Sequence, residues 1–141
     1  MTRVFWDTML FIYLLQDDPQ FGERARYLRK RSVERGDEIC TSTLALGELL
    51  AGVYRDKTPA DATRIRDGIL AAGVRILPFD LSASDAFGRI RSTHRTSAAD
   101  SIHLACAGAA GVDLFLTGDK QLVKLHVPGI KFIDSIDTQL L

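Results

Sequence analysis

The chain has 141 residues, with 18 Lys plus Arg against 18 Asp plus Glu, and 46% of its residues are hydrophobic. That length and composition predict one globular domain over residues 1–141 and exclude a disordered chain. The formal charge of zero excludes a protein that holds nucleic acid by bulk charge alone, though not one with a local basic face.

Val4-Phe5-Trp6 is short, apolar and aromatic, which predicts a buried strand ending at Asp7-Thr8. Met9 to Leu15 reads as a short helix. Phe21 to Arg35 carries Phe21, Ala25, Leu28 and Ser32 at helical spacing, and Gly36-Asp37 stops it. Ile39-Cys40-Thr41 is a second strand, and Ser42 or Thr43 caps a helix to about Tyr54. Thr58 and Pro59 fit the N-cap and first position of a helix that Gly73 ends. Val74 to Leu77 is a third strand. Helices follow from Ser82 to Thr93 and from Ser97 to Ala110. Leu114 to Thr117 is a fourth strand, Asp119 to Leu125 a short helix, and Ile130 to Ile133 a last strand.

Apolar strands alternating with helices predict an α/β fold, a three-layer sandwich around a mostly parallel sheet of four or five strands. Ligands of such sheets bind outside the carboxyl ends of the strands. Cys40 and Cys106 lack any zinc or CxxC spacing and read as small buried hydrophobes in a reducing compartment. No secretory pattern opens the chain, and no apolar run reaches about 18 residues, so the expectation is a cytoplasmic protein off the membrane.

Fourteen of the 18 acids are Asp, a residue of turns, caps and metal sites. Asp7 and Asp119 each follow a predicted strand and precede a helix, so each is either an N-cap or part of a cleft. Asp100 falls in the first turn after Ser97, where the positive helix end favours an acid; the helix it opens is apolar enough to abut the sheet. Glu48 is the anomaly. Its helical neighbours are Leu44, Ala45, Ala51 and Gly52, so it lies either on a narrow polar side or toward a cation. Gly47 and Gly52 beside it suggest close backbone packing. Three Asp and one Glu in one cleft, with no Cys or His, would suit magnesium or manganese and not zinc or copper. Such ions usually serve phosphate chemistry.

These segments resemble the PIN-domain family, and within it the VapC-type toxin ribonucleases of bacterial toxin–antitoxin modules. The matching stretches are Phe5-Trp6-Asp7-Thr8, Thr41-Ser42 with Leu46-Gly47-Glu48-Leu49-Leu50, Ala99-Asp100-Ser101-Ile102-His103-Leu104-Ala105, and Leu116-Thr117-Gly118-Asp119. Their order and spacing cover nearly the whole chain. The resemblance implies an acidic quartet of Asp7, Glu48, Asp100 and Asp119 that binds metal, supported by the Thr117 hydroxyl. It also implies cleavage of RNA phosphodiester bonds, homodimerisation and inhibition by a cognate antitoxin. Some PIN nucleases carry a further acid one turn after the last Asp; Lys120-Gln121-Leu122-Val123-Lys124 has none. The expectation is therefore one Mg2+ (Mn2+ as substitute), held chiefly by Asp7, Asp100 and Asp119, and a second only with substrate.

Thr8 is placed to cap a helix or to reach a phosphate or metal-bound water. His103, three residues after Asp100, is placed to hydrogen-bond it. Asp113 reads as a turn residue. Of two basic clusters, Arg24 to Arg35 reads as a solvated helix face. Arg89, Arg91 and Arg95, with His94, border the loop before Asp100 and are the candidate RNA contacts. Exposed apolar residues of the early helices are the expected antitoxin groove. The rival readings are a non-catalytic RNA- or protein-binding domain on the same fold, and a receiver-like phosphoacceptor, which would want paired acids after the first strand.

Overall fold

The structure is a computed structural model that describes residues 2–141. The elements run β1 (Arg3–Trp6), α1 (Thr8–Leu15), α2 (Gly22–Arg35), β2 (Glu38–Ser42), α3 (Thr43–Asp56), α4 (Pro59–Ala71), β3 (Arg75–Leu77), α5 (Leu81–Thr93), α6 (Ala98–Ala110), β4 (Val112–Thr117), α7 (Lys120–Val123) and β5 (Ile130–Ser135). The order in the sheet is β3-β2-β1-β4-β5, and every pairing is parallel. The chain therefore builds outward from β1 to β3, crosses back, and lays β4 against the other side of β1. A crevice opens where the winding reverses, at the carboxyl ends of β1 and β4.

Strand side chains alternate between two cores. Phe5, Cys40 and Phe115 face one side, where they pack with Ala83 and Ile90 of α5 and Leu104 to Ala107 of α6. The Phe5 and Phe115 rings lie 4.6 Å apart and nearly parallel. Val4, Trp6, Leu114 and Leu116 face the other side and meet Leu10 and Phe11 of α1, Leu28 of α2 and Leu49 of α3. This is the three-layer α/β sandwich expected, with five strands and a wholly parallel sheet. Among the described residues no helix is long and apolar enough to cross a membrane.

Helix boundaries follow their caps. Thr58 and Asp61 form a reciprocal capping box, with Pro59 in the first turn. Ser97 accepts the Asp100 N–H at 3.1 Å to start α6. Helix α5 starts one residue before the expected Ser82, because the Asp80 carboxylate accepts the Ala83 N–H at 3.0 Å. Strand β4 starts at Val112, so Asp113 is a strand residue and not a turn residue. Its carboxylate accepts the Arg3 N–H at 2.8 Å, a contact between residues 110 apart in the chain.

Two glycines set one close junction. A Cβ on Gly108 of α6 would stand 2.8 Å from the Pro128 carbonyl oxygen. A Cβ on Gly129, which has φ +90°, would fall inside the Gly108 carbonyl. The expected close packing at Gly47 is absent: a Cβ there meets nothing within 4 Å, and one on Gly52 reaches only Arg55 at 3.8 Å.

Candidate active site

The crevice at the carboxyl ends of the strands holds the acids. A cavity of about 420 Å³ is lined by Asp7, Thr8, Glu48, Arg55, Asp100 and His103, among others. A second hollow of about 390 Å³ shares Asp100 and adds Asp119 and Arg95. Asp100 is thus the hinge between the two, and Asp119 enters from the α7 side.

Each side chain is positioned by a local rule. Asp7 follows β1 and caps α1, with one oxygen accepting the Met9 N–H at 3.1 Å and the other the Gly118 N–H at 3.2 Å. Gly118 suits this approach because a Cβ there would lie 3.1 Å from the Tyr13 hydroxyl. Burial pushes the Asp7 carboxyl above the ordinary carboxylate range; the Thr117 hydroxyl and the Gly118 N–H act against that rise. Asp119 follows β4 and caps α7 through the Gln121 N–H at 2.8 Å. Thr117, fully buried, accepts the Asp119 N–H at 3.0 Å. Both Asp7 and Asp119 are therefore caps and cleft residues at once.

Glu48 sits at the rim of the cavity, its side chain 38% exposed. Protein groups account for it without a cation. The Thr8 hydroxyl donates to its Oε1 at 2.9 Å, and His103 Nε2 lies 2.8 Å from the same oxygen. His103 Nδ1 is 2.7 Å from the Ser42 hydroxyl, which already accepts the Ala45 N–H at 2.9 Å to cap α3. The Ser42 proton is then free for Nδ1, and the Nε2–H donates to Glu48; the network assigns this tautomer. His103 thus serves Glu48 and Ser42 rather than Asp100. Thr8 serves Glu48, while Asp7 takes the capping role.

The basic residues divide. Arg95 lines the Asp119 hollow. Arg91 is exposed on the last turn of α5. Arg89 pairs with Asp85 at 3.0 Å and lines a separate cavity. Three of the six basic residues from Arg24 to Arg35 are committed to close protein contacts: Arg24 donates to the Ile136 and Thr138 carbonyls, Arg26 pairs with Asp17, and Arg35 with Asp37. Two participants escaped the sequence reading. Ser42 appeared there as a cap and in a matching stretch, with no role in the site. Arg55 lies two helical turns beyond Glu48, a seven-residue spacing that puts both on one face of α3; that spacing was the available signal.

The donor set tests the fit of a metal. Asp7, Asp100 and Asp119 offer carboxylate oxygens, and no Lys or Arg of the described residues forms an ion pair with them. Such a set suits a hard divalent cation. Among the described residues no three His, Cys, Asp or Glu side chains are grouped as if already around one ion; Asp7, Glu48 and Asp119 are turned to the protein hydrogen bonds just described.

The PIN domain family profile matches residues 4–127. The chain belongs to the PIN-domain family. Solved structures share this PIN fold over nearly its full length. A DNA-bound VapBC from Salmonella typhimurium matches at 21% identity, covering 96% of this chain and 99% of that one, with a TM-score of 0.76. VapBC2 from Rickettsia felis, bound to a fragment of promoter DNA, matches at 16% identity, covering 95% and 98%, with a TM-score of 0.73. VapC20 from Mycobacterium tuberculosis, described as a toxin cleaving the sarcin–ricin loop, matches at 19% identity, covering 87% and 96%, with a TM-score of 0.65. No curated protein matches the chain.

Proposed function

We propose that this PIN domain is a magnesium-dependent endoribonuclease, the toxin of a toxin–antitoxin pair. The observation that carries the reading is the cluster of Asp7, Glu48 and Asp100 on one cavity, with Asp119 in the hollow beside it, at the switch point of the sheet and with no Lys or Arg ion-paired to them among the described residues. Acids left uncompensated in a shared crevice repel one another and raise each other's affinity for a cation.

Asp7, Asp100 and Asp119 would hold the ion, with Mn2+ as a substitute. When bound, the ion polarises the phosphoryl oxygens and neutralises the leaving oxygen. Asp100 or Asp7 takes the proton of the attacking water, and in-line attack leaves a 5′-phosphate and a 3′-hydroxyl. Glu48, fixed by Thr8 and His103, keeps its second oxygen for the cavity. Arg55 and Arg95 stand on opposite sides of Asp100 and bind the flanking phosphates of the RNA.

The partner follows from the same reading. Ile12, Leu15, Val53 and Ile65 line a groove of α1, α3 and α4 that reaches Glu48 and Arg55. An antitoxin segment seated there can place a basic side chain against the acids, its charge standing in for that of the ion. Homodimerisation and a cytoplasmic location belong to this reading.

The deciding test is cleavage of single-stranded RNA with Mg2+, with Mn2+ and with EDTA, followed by product-end analysis. Turnover with either metal, loss in EDTA and 5′-phosphate ends are expected. A 2′,3′-cyclic phosphate or undiminished turnover in EDTA overturns the mechanism. Absence of any metal-dependent cleavage leaves the non-catalytic binding domain as the better reading.

A further inference from the structure

A cavity of about 350 Å³ lies between the end of α5 and the turn before β5, and nothing in the mechanism uses it. Its walls are apolar, formed by Ile90, Val127 and Pro128, and its polar groups are Arg89, Thr93, His94 and His126, with no acid among the lining residues. That size and lining belong to a site for a small flat molecule carrying negative charge. The cavity also adjoins the catalytic crevice. His94 and His126 are chain neighbours of Arg95 and Leu125, which line the Asp119 hollow, and neighbouring Cα atoms are about 3.8 Å apart.

We infer that this cavity is a nucleotide subsite that receives one unstacked base of the RNA on the Asp119 side of the cut. The inference rests on the ribonuclease reading and adds a source of sequence preference to it. Proteins read single-stranded RNA by splaying bases onto aromatic or imidazole faces and hydrogen-bonding their edges. His94 and His126 supply such groups between apolar walls. Arg89 supplies a guanidinium for the phosphate. Its present partner, Asp85, forms a pair in which both side chains are more than two-thirds exposed, 79% and 71%. Such a pair holds the arginine weakly. Arg95, in the Asp119 hollow, continues the positive charge toward the crevice.

The test uses the whole chain carrying Asp100→Asn, titrated in EDTA with each of the four ribonucleoside 5′-monophosphates and, separately, with inorganic phosphate. Backbone amides of residues 89–94, 126, 127 and 129 are followed by NMR. One or two of the nucleotides are expected to shift these amides saturably, and His126→Ala should weaken that binding roughly tenfold, as loss of one stacking partner does. Val127→Trp, which fills the cavity, should abolish it; if this variant does not fold, His126→Ala carries the test. Equal shifts from phosphate alone, shifts that appear on raising protein concentration without nucleotide, or no shift in these segments overturn the inference. On active protein, cleavage of an RNA pool randomised around the cut should show a base preference at one flanking position that His126→Ala flattens. Cleavage with a preference identical in the variant removes the subsite and leaves the nuclease. Nucleotide binding in a chain that cuts no RNA keeps the subsite and removes the nuclease.

Discussion

The two ends of the sheet both carry acids and treat them in opposite ways. At the amino ends of the strands, Glu38 lies 2.8 Å from Arg3 and 3.7 Å from Arg75, and Asp113 lies 3.0 Å from Lys131. At the carboxyl ends, Asp7, Glu48, Asp100 and Asp119 have no Lys or Arg partner among the described residues, and Glu48 is held by Thr8 and His103 hydrogen bonds. The titration follows the geometry. The Arg3 N–H and then Lys131 hold Asp113 below the ordinary carboxylate range, whereas burial holds Asp7 above it. One end is closed electrostatically, and the other is left short of positive charge. The same residue types thus secure the fold at one edge and, in the proposed nuclease, would supply the reactive groups at the other.

Substitutions at the two ends should therefore separate activity from stability. Asp7→Asn and Asp100→Asn keep size and remove a charge, and each should lower the RNA cleavage rate by at least about a hundredfold while circular dichroism stays native. Loss of the fold in either variant would place the acids with the structural set. Glu48→Gln keeps a partner for Thr8 and His103 but not the charge. It should cost roughly ten- to hundredfold in rate, as loss of a group that orients a metal site does; a wild-type rate would reduce Glu48 to packing.

Arg3→Ala breaks the other end. It removes the contacts to Glu38 and to the Ala110 carbonyl, which Arg3 Nη1 meets at 2.7 Å. Urea denaturation should show a loss of about 1–2 kcal/mol, with cleavage per folded molecule unaltered. A fall in rate at full stability would deny the division of labour.

The smallest effect is the sign of the pH dependence. A carboxyl whose folded value is raised contributes stability below its unfolded value and loses it as pH rises through the folded one. A carboxyl whose folded value is lowered contributes above its unfolded value and loses it as pH falls through the folded one. In EDTA at pH 7, Asp7→Asn should therefore raise Tm and Asp113→Asn should lower it. The Asp7 difference should shrink as pH falls toward about 4, and the Asp113 difference should shrink only below about 4. Shifts of the same sign in the two variants would remove the contrast.

The strands, the caps at Thr58 and Ser97, and the four acids at their places along the chain were legible in the sequence, because each is a local pattern of period, cap or spacing. Family resemblance added roles for those acids that spacing alone left open. What the sequence hid was non-local. His103 is three residues from Asp100, so helical spacing pointed it there; the packing of α6 against β2 and α3 turns its ring to Ser42 and Glu48 instead. Asp113 read as a turn because its partner Arg3 lies at the far end of the chain. Glu48 seemed to need a cation because its Thr8 and His103 partners come from α1 and α6, which no window around residue 48 contains.

The contact between Gly108 and Gly129 bears on how this chain can vary over time. Two backbones touch there without side chains between them, so neither position has a neighbour able to yield. A mutational scan should find both nearly immutable, alone or together, since a β-carbon on either meets main chain. Gly47 and Gly68, with nothing within 4 Å of a Cβ, should drift freely and even gain helix stability as alanine. Of this chain's glycines, then, the crossing pair marks where inheritance is constrained, and Gly47 and Gly68 mark where it is loose.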